Sequence, residues 1–131
     1  MNEVLEFIKS CGTYYLATAD ENGQPRVRPF GTAEEFEGKL YIQTGKKKDC
    51  YKQLLNNPKA ELCCFKDGKW LRFSGKLIPD DRIEAKKDML DKNPSLRVMY
   101  DENDDNTIVL YFEDGEAVFS SFTEAPKTVK L

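Results

Sequence analysis

Short runs of alternating apolar and polar residues recur along this chain and predict β-strands, because successive side chains of a strand point to opposite faces of a sheet. In residues 69–78, Leu71, Phe73 and Leu77 form the apolar set and are expected to face the core. Seven strands are predicted, at residues 13–19, 24–32, 39–44, 60–66, 69–78, 108–113 and 116–122. Three hairpin turns are predicted between strands, at Asp20 to Gly23, Asp67-Gly68 and Asp114-Gly115.

Three segments show the spacing of amphipathic helices instead, at residues 1–9, 48–56 and 81–93. The first is expected to end near Gly12 and the second before Pro58, while Asp80 or Asp81 is the expected N-cap of the third. Because these helices interrupt strands joined as hairpins, the chain is predicted to be mainly β (α+β), an antiparallel barrel of six or seven strands with peripheral helices. Residues 1–131 are expected to form a single domain.

The composition restricts the chemistry available to this chain. It has 20 Lys and Arg against 23 Asp and Glu, and no histidine. Without imidazole, Ser-His-Asp and Cys-His catalysis, His-containing zinc sites and histidine-ligated haem are excluded. The net charge of -3 argues against a protein that coats nucleic acid or an anionic membrane, because both need a positive surface. An N-terminus without an apolar export segment predicts a cytoplasmic protein.

No metal site is predicted. The acidic segment 101–105 lacks the central glycine and the terminal Glu of a calcium-binding loop. The cysteines lack CxxC spacing and are expected to be free thiols. The four cysteines are Cys11, Cys50, Cys63 and Cys64.

Two arginines of one predicted strand are the first candidates for binding a ligand. In an extended chain, Arg26 and Arg28 lie on one face about 6.6 Å apart, and two guanidinium groups at this spacing can bind a phosphate. Pro29 marks a strand edge or a bulge at the same place. The alternative, which this segment alone favours, is a solvated strand face with surface arginines.

The second candidate is Thr44-Gly45-Lys46-Lys47-Lys48, where a strand is predicted to end and a helix to begin. Lysines at a helix N-terminus are unfavourable unless an anion is bound there, because the helix dipole is positive at that end. Gly45 would let the backbone approach the anion, and Thr44 would donate its hydroxyl. The alternative is a solvated charged surface.

Trp70 is the third candidate. It lies beside Lys69 and Arg72 on the polar face of its strand, where its ring could stack on an aromatic ligand, although most tryptophans belong to a core. Two phosphate-competent basic clusters and an aromatic ring at a rim together favour a phosphorylated aromatic cofactor.

The order of these segments resembles a known family. The segments Gly23 to Pro29, Leu40 to Lys48, Asn57 to Ala60 and Trp70 to Lys76 are similar to the FMN-binding split barrel of the pyridoxamine 5'-phosphate oxidase-like flavoproteins. The resemblance covers about residues 4–122. It implies a split β-barrel of Greek-key type, and a homodimer that binds FMN in two clefts between the subunits.

The resemblance also implies a role for each candidate residue. Pro29 and Phe30 run beneath the edge of the isoalloxazine, and Trp70 flanks the ring. The spacing to Pro58 leaves the phosphate lysine at Lys47, at Lys48 or, without a shift, at Cys50, which could not do this work. The resemblance matches Arg28 to the family's arginine that begins the flavin-contacting strand, and Thr44 to its hydroxyl residue near the phosphate. Together with the residue patterns above, the candidate cofactor-binding residues on the phosphate side are Arg26, Arg28, Thr44, Gly45, Lys47 and Lys48.

The expected function is a flavin-dependent oxidoreductase of the family's short branch, which includes general-stress proteins and nitroimidazole-type reductases. A small-molecule substrate is implied, with NAD(P)H as a candidate electron donor. Oxidation of pyridoxamine phosphate is not expected, because the chain ends soon after Phe122 and has no histidine, whereas the oxidase continues into a segment that binds pyridoxal phosphate. The alternatives are a flavin or deazaflavin carrier or stress sensor without turnover, and a barrel that binds single-stranded nucleic acid through Trp70, Tyr14, Tyr15 and the basic clusters.

Overall fold

Eight antiparallel strands form one sheet in the computed structural model, which describes residues 1–131. The elements are α1 (Asn2–Cys11), β1 (Tyr14–Ala19), β2 (Pro25–Phe30), β3 (Glu34–Phe36), β4 (Lys39–Gly45), α2 (Asp49–Asn56), β5 (Lys59–Lys66), β6 (Lys69–Asp80), α3 (Ile83–Lys92), a 3₁₀ turn (Pro94–Val98), β7 (Thr107–Ser121) and β8 (Lys127–Lys130). The strand order is β2-β1-β5-β6-β7-β4-β3, and β8 pairs with β7. The predicted mainly β architecture with peripheral helices is confirmed, with eight strands instead of six or seven.

The core lies between the inner face of the sheet and the helices. Leu71, Phe73 and Leu77 of β6 are buried there, so the predicted apolar face of this strand is confirmed. Val4 and Ile8 of α1 pack into the same cluster, and each such side chain stabilises the fold by roughly 1.5–3 kcal/mol through burial. Helix α2 is held against the core in the same way, by Cys50 and Leu54.

The predicted hairpin at Asp114-Gly115 is wrong, because β7 continues through both residues. The pairing with β6 shifts here, from Ser74 opposite Glu116 to Lys76 opposite Glu113, so the two residues form a bulge. A Cβ on Gly115 would lie 2.6 Å from Cζ of Phe73. An Asp-Gly pair therefore bends one strand here, whereas the same pair at 67–68 turns the chain between β5 and β6.

The start of α3 also differs from the prediction. Strand β6 extends to Asp80, and Arg82 precedes the first helical residue with no side-chain cap. Asp80 instead accepts hydrogen bonds from Arg82 Nη2 and from the Tyr41 hydroxyl, both at 2.8 Å. Arg82 lowers the pKa of Asp80, which is therefore a carboxylate that fastens α3 to the sheet.

Three short elements were not predicted. Strands β3 and β8 have three and four residues, too few to show an alternating pattern, and the 3₁₀ turn has five. The first helix begins one residue later than predicted and continues to Cys11, just before Gly12, and the second also begins one residue later than predicted. No helix is both long enough and apolar enough to cross a membrane.

Candidate cofactor site

A cavity of about 1570 Å³ opens between β2, the end of β4, α2 and the segment that follows α3. Most of the predicted site residues meet there, although they come from two separate segments of the sequence, 26–30 and 44–48. The residues of the predicted set that line the cavity are Arg26, Arg28, Pro29, Phe30, Thr44, Lys47 and Lys48. Gly45 and Trp70 do not line it.

Arg28 is fixed in the cavity wall by neutral groups. Its Nη1 donates to the Thr18 hydroxyl at 2.8 Å and to the Leu16 carbonyl at 3.2 Å, while its Nη2 donates to Oε1 of Gln53 at 2.9 Å. The pairing of β1 with β2 places Leu16 opposite Arg28, and Gln53 comes from α2. No carboxylate pairs with the guanidinium, so its positive charge is available to an anion in the cavity.

Arg26 lines the same cavity but already has a partner. Its Nε donates to Oδ2 of Asp20 at 3.1 Å. Backbone N–H groups of Gln24 and Asn22 also donate to Asp20 and, together with Arg26, lower its pKa. The two arginines therefore differ, because Arg26 closes the β1–β2 turn while Arg28 keeps an unpaired charge.

Thr44 is 4% exposed, and its hydroxyl makes no hydrogen bond within the chain. Every side-chain oxygen or nitrogen that is fully buried has a hydrogen-bond partner. Because the Thr44 hydroxyl has none, this atom is accessible, and Thr44 lines the cavity. Next to it, α2 begins after Lys48 with no side-chain cap. The first N–H groups of a helix have no partner inside the helix, so this end of the cavity offers several free donors to one ligand.

Three lysines surround the start of α2. Lys47 and Lys48 precede the helix, and Lys52 lies one helical turn after Lys48. None of the three takes part in an ion pair. Lys46, by contrast, pairs with Asp81 at 3.1 Å and does not line the cavity. Lys52 was missed in the sequence, although its spacing of four from Lys48 places it on the same helix face.

Asn106 shapes the turn that leads into α2. Its carbonyl accepts from the N–H of Lys46 at 2.7 Å, and its Oδ1 accepts from the N–H of Lys47 at 3.1 Å. A Cβ on Gly45 would lie 3.0 Å from Nδ2 of Asn106, so any other residue there would press on this side chain. A direct part for Gly45 in binding a phosphate stays a prediction.

The acidic segment before β7 supports Asn106. Asp104 accepts hydrogen bonds from the N–H groups of Asp101, Asn106 and Thr107. Burial raises the pKa of Asp104, but these bonds outweigh the effect and hold the pKa at about 2. The carboxylate therefore orders its own loop.

Cys50 also lines the cavity, at the position that an unshifted alignment gives to the phosphate lysine. Burial raises the pKa of this thiol, and the nearby Arg28 and Lys48 oppose that effect only in part. A neutral thiol supplies no charge for an anion, whereas Lys48 lies two residues away with its charge unpaired.

Trp70 lies on the outer face of the sheet. Its ring packs against Phe122, with 5.1 Å between ring centroids. Tyr15, Val27 and Phe65 are exposed on the same face, as strand pairing and burial show. Within a single chain, the structure does not bring Trp70 to the cavity.

The segment after α3 forms the remaining wall, through Asn93, Ser95, Leu96, Met99 and Tyr100. No motif marked these residues in the sequence, because they belong to a 3₁₀ turn and the loop that follows it. The α2 side of the cavity carries lysines, whereas this wall presents only neutral and apolar side chains.

Comparison with known proteins is consistent with this geometry. The family model described as pyridoxamine 5'-phosphate oxidase matches residues 1–91, more than half of the chain. No curated protein matches the sequence significantly. Among solved structures, the chain is similar to a NimC/NimA family protein from Clostridium acetobutylicum, with 45% identity over 100% of this chain and 92% of that one and a TM-score of 0.95.

Two further structures share the fold at low identity. One is a protein related to general stress protein 26, from Clostridium acetobutylicum, with 17% identity over 99% of this chain and 93% of that one and a TM-score of 0.76. The other is a pyridoxamine 5'-phosphate oxidase-related, FMN binding protein from Nostoc punctiforme, with 15% identity over 99% and 91% and a TM-score of 0.64. The expected resemblance is confirmed, and the chain belongs to the pyridoxamine 5'-phosphate oxidase-like family of split-barrel proteins.

Proposed function

We propose that this protein binds FMN in the cavity beside α2 and acts as a flavin-dependent oxidoreductase on a small organic substrate. The observation that carries the proposal is the Thr44 hydroxyl, which is free of protein partners beside an uncapped helix N-terminus and three unpaired lysines. A phosphate group matches this donor set in both charge and hydrogen bonding. The family membership and the FMN-binding relative support flavin as the group that carries the phosphate.

The residues of the chain would divide the binding between them. Thr44, the start of α2, Lys47, Lys48 and Lys52 would hold the phosphate, and the unpaired charge of Arg28 would add to the attraction. Pro29 and Phe30, in the wall formed by β2, would contact the ring. Bound FMN supplies the electron or hydride transfer, so no histidine base is required from the protein.

We also propose that the protein is a homodimer. Val27 of β2 belongs to the exposed apolar face of the sheet and also lines the cavity beside Arg28, so the two sites adjoin. A second copy docked on that face would cover it, and its Trp70 would then be a candidate to flank a flavin in the cleft between subunits. Burial of an apolar face of this kind favours association.

Titration with FMN, followed by the quenching of flavin fluorescence, tests the site. The double variant Arg28→Ala, Lys48→Ala is expected to bind FMN at least tenfold more weakly than the natural protein. The matched control is Lys66→Ala, Lys69→Ala, which removes two exposed cations at the β5–β6 turn, outside the cavity and on the opposite side of these strands from Trp70, and should leave the affinity unchanged. Equal FMN affinity in all three proteins would contradict the site.

Arg28 also donates hydrogen bonds to Thr18 and Gln53, so replacing it removes contacts of the fold itself. A second variant therefore tests the site without removing these contacts. Lys47→Ala, Lys48→Ala, Lys52→Ala removes only side chains without ion pairs and is expected to keep the circular dichroism spectrum while losing FMN. Turnover is tested separately, by anaerobic reduction of the bound flavin with NADH or NADPH and transfer to an added acceptor. Binding without reduction or transfer would favour a flavin carrier over an enzyme.

A further inference from the structure

The hydroxyl of Tyr100 differs from those of the two other buried tyrosines. Tyr14 donates to the Thr32 carbonyl at 2.7 Å, and Tyr41 donates to Asp80 at 2.8 Å. Tyr100 is 8% exposed, and its hydroxyl makes no hydrogen bond within the chain. Buried phenol hydroxyls normally have a partner. Every side-chain polar atom that is fully buried in this chain has a hydrogen-bond partner. Because the Tyr100 hydroxyl has none, this atom is accessible, and Tyr100 lines the cavity.

The surroundings of Tyr100 are neutral. Leu96 and Met99 are the apolar neighbours of Tyr100 in this wall, and Met99 is 71% exposed. Arg97, the one charged residue between them in sequence, turns away and pairs with Asp91 at 2.6 Å and Glu102 at 2.7 Å. The lysines of the cavity all belong to the α2 side. In this wall a ligand meets apolar surface and a hydroxyl that donates or accepts, and none of the wall's own side chains is charged.

The wall is also held in place before any ligand binds. The N–H of Tyr100 donates to the Leu96 carbonyl at 2.9 Å, and the two ion pairs of Arg97 fix the turn from both sides. Asn93 donates to Oε2 of Glu34 at 3.1 Å, which joins the turn to β3. A binding group carried by such a braced segment loses little freedom when it meets its ligand.

We propose that Tyr100, Leu96 and Met99 form the subsite for the organic substrate, and that this substrate is an uncharged, largely apolar molecule with an oxygen that accepts a hydrogen bond from the Tyr100 hydroxyl. The inference rests on the proposed function, because the α2 side of the same cavity would hold the FMN. Because no side chain of this wall is charged, the wall itself offers no counter-ion to a carboxylate or an ammonium, and it favours a neutral ligand.

The test uses methionine as a reporter. The chain has three methionines, Met1, Met89 and Met99, so protein labelled with ¹³C at the methionine methyl gives three NMR signals, and Met99→Leu identifies the one at the subsite. Acetophenone, a neutral aromatic ketone, is the probe, and it is added with and without saturating FMN. We expect it to shift the Met99 signal but not that of buried Met89, and benzoate, its charged counterpart, to shift Met99 at least fivefold more weakly.

The variant Tyr100→Phe removes only the free hydroxyl and is expected to weaken acetophenone binding about fivefold without affecting FMN binding. Tyr111→Phe, outside the cavity, is the matched control and should bind acetophenone normally. An unmoved Met99 signal, or equal acetophenone affinity in Tyr100→Phe, would overturn the inference while the flavin titration leaves the proposed function standing. The natural protein itself could fail to bind FMN while acetophenone still shifts its Met99 signal and Tyr100→Phe abolishes that shift. This combination would support the subsite and overturn the proposed function instead.

Discussion

The N–H of Lys47 donates a hydrogen bond to Oδ1 of Asn106, 59 residues further along the chain, at 3.1 Å. The N–H of the preceding Lys46 donates to the carbonyl of the same asparagine. The turn that opens α2 is thus held by the loop before β7, and the shape of the candidate phosphate site depends on a residue that does not line the cavity. Asn106 is in this sense a positioning residue.

Replacing Asn106 with alanine is expected to weaken FMN binding by about fivefold to tenfold. The change removes one hydrogen bond, worth roughly 1 kcal/mol, and frees the backbone that presents Lys47 and Lys48. Flavin fluorescence titration measures the effect. The control is Asn103→Ala in the same loop, because the Asn103 side chain makes no hydrogen bond and its loss should not change the affinity. Equal affinities for both variants would show that the turn keeps its shape without Asn106.

The stability that Asp104 contributes to the same loop depends on pH. Its pKa is about 2 in the folded chain, below the ordinary value of 3.8, so the folded state favours the carboxylate. The stability that Asp104 contributes is present in full at neutral pH and is lost as the pH falls from about 4 through 2. Asp104→Asn should therefore be less stable than the natural protein at pH 7, and this difference should shrink below pH 3.

Urea unfolding at pH 7 and at pH 2.5, followed by circular dichroism, checks the prediction for Asp104. Asp105→Asn is the matched control, because Asp105 is exposed and asparagine tolerates its positive φ of 60°. A stability difference for Asp104→Asn that persisted unchanged at pH 2.5 would contradict the assigned role of its charge.

Much of the fold was predictable because its signals are local. Helix α1 and the buried face of β6 follow from apolar spacing within ten or so residues, and the turn at Asp67-Gly68 was placed correctly. The pair Asp114-Gly115 has the same local turn signal, but in the structure it forms a bulge within β7. What decides it is the pairing with β6 and the ring of Phe73, and neither can be inferred from the residues beside the bulge.

The candidate site divides in the same way. Arg28 was predicted from its spacing to Arg26 on one strand face, and Thr44 and Lys48 from their place between a strand end and a helix start, which are local patterns. Tyr100 and Asn106 were missed, because each acts through residues that are distant in sequence and neither belongs to a motif. A hydroxyl that faces a cavity without a partner in the chain, or an amide that holds a distant turn, is recognised only once the fold is known.

The bulge in β7 predicts a specific stability effect. In Gly115→Ala the new methyl would lie 2.6 Å from Cζ of Phe73, a ring that is buried and packed edge-on against Phe112 with 4.7 Å between centroids. Because the ring has no free space, the variant should lose about 1–3 kcal/mol in the free energy of unfolding. Gly31→Ala is the control, since nothing lies within 4 Å of its added Cβ, and it should stay within about 0.5 kcal/mol of the natural protein. Urea unfolding of both variants measures the difference, and equal stabilities would mean that the bulge rearranges.

The exposed face of the sheet leads to a prediction about assembly. Val27 and Phe65 are 68% and 60% exposed, on neighbouring parts of the face that carries Trp70. Val27→Asp, Phe65→Asp would place two carboxylates in the proposed dimer interface, where each unpaired charge costs several kcal/mol, so the variant should be a monomer.

Val98→Asp is the matched control for that variant. Val98 is also an exposed valine, but it belongs to the 3₁₀ turn and lies outside this face, so the control should remain a dimer. Light scattering coupled to size-exclusion chromatography gives the mass of each species. Because the proposal places FMN in the cleft between subunits, Phe65→Asp alone, which lies outside the cavity, should also be a monomer and lose FMN affinity while keeping its circular dichroism spectrum. A natural protein that runs as a monomer would contradict the dimer, and a monomeric variant with undiminished FMN affinity would show that one chain alone forms the flavin site.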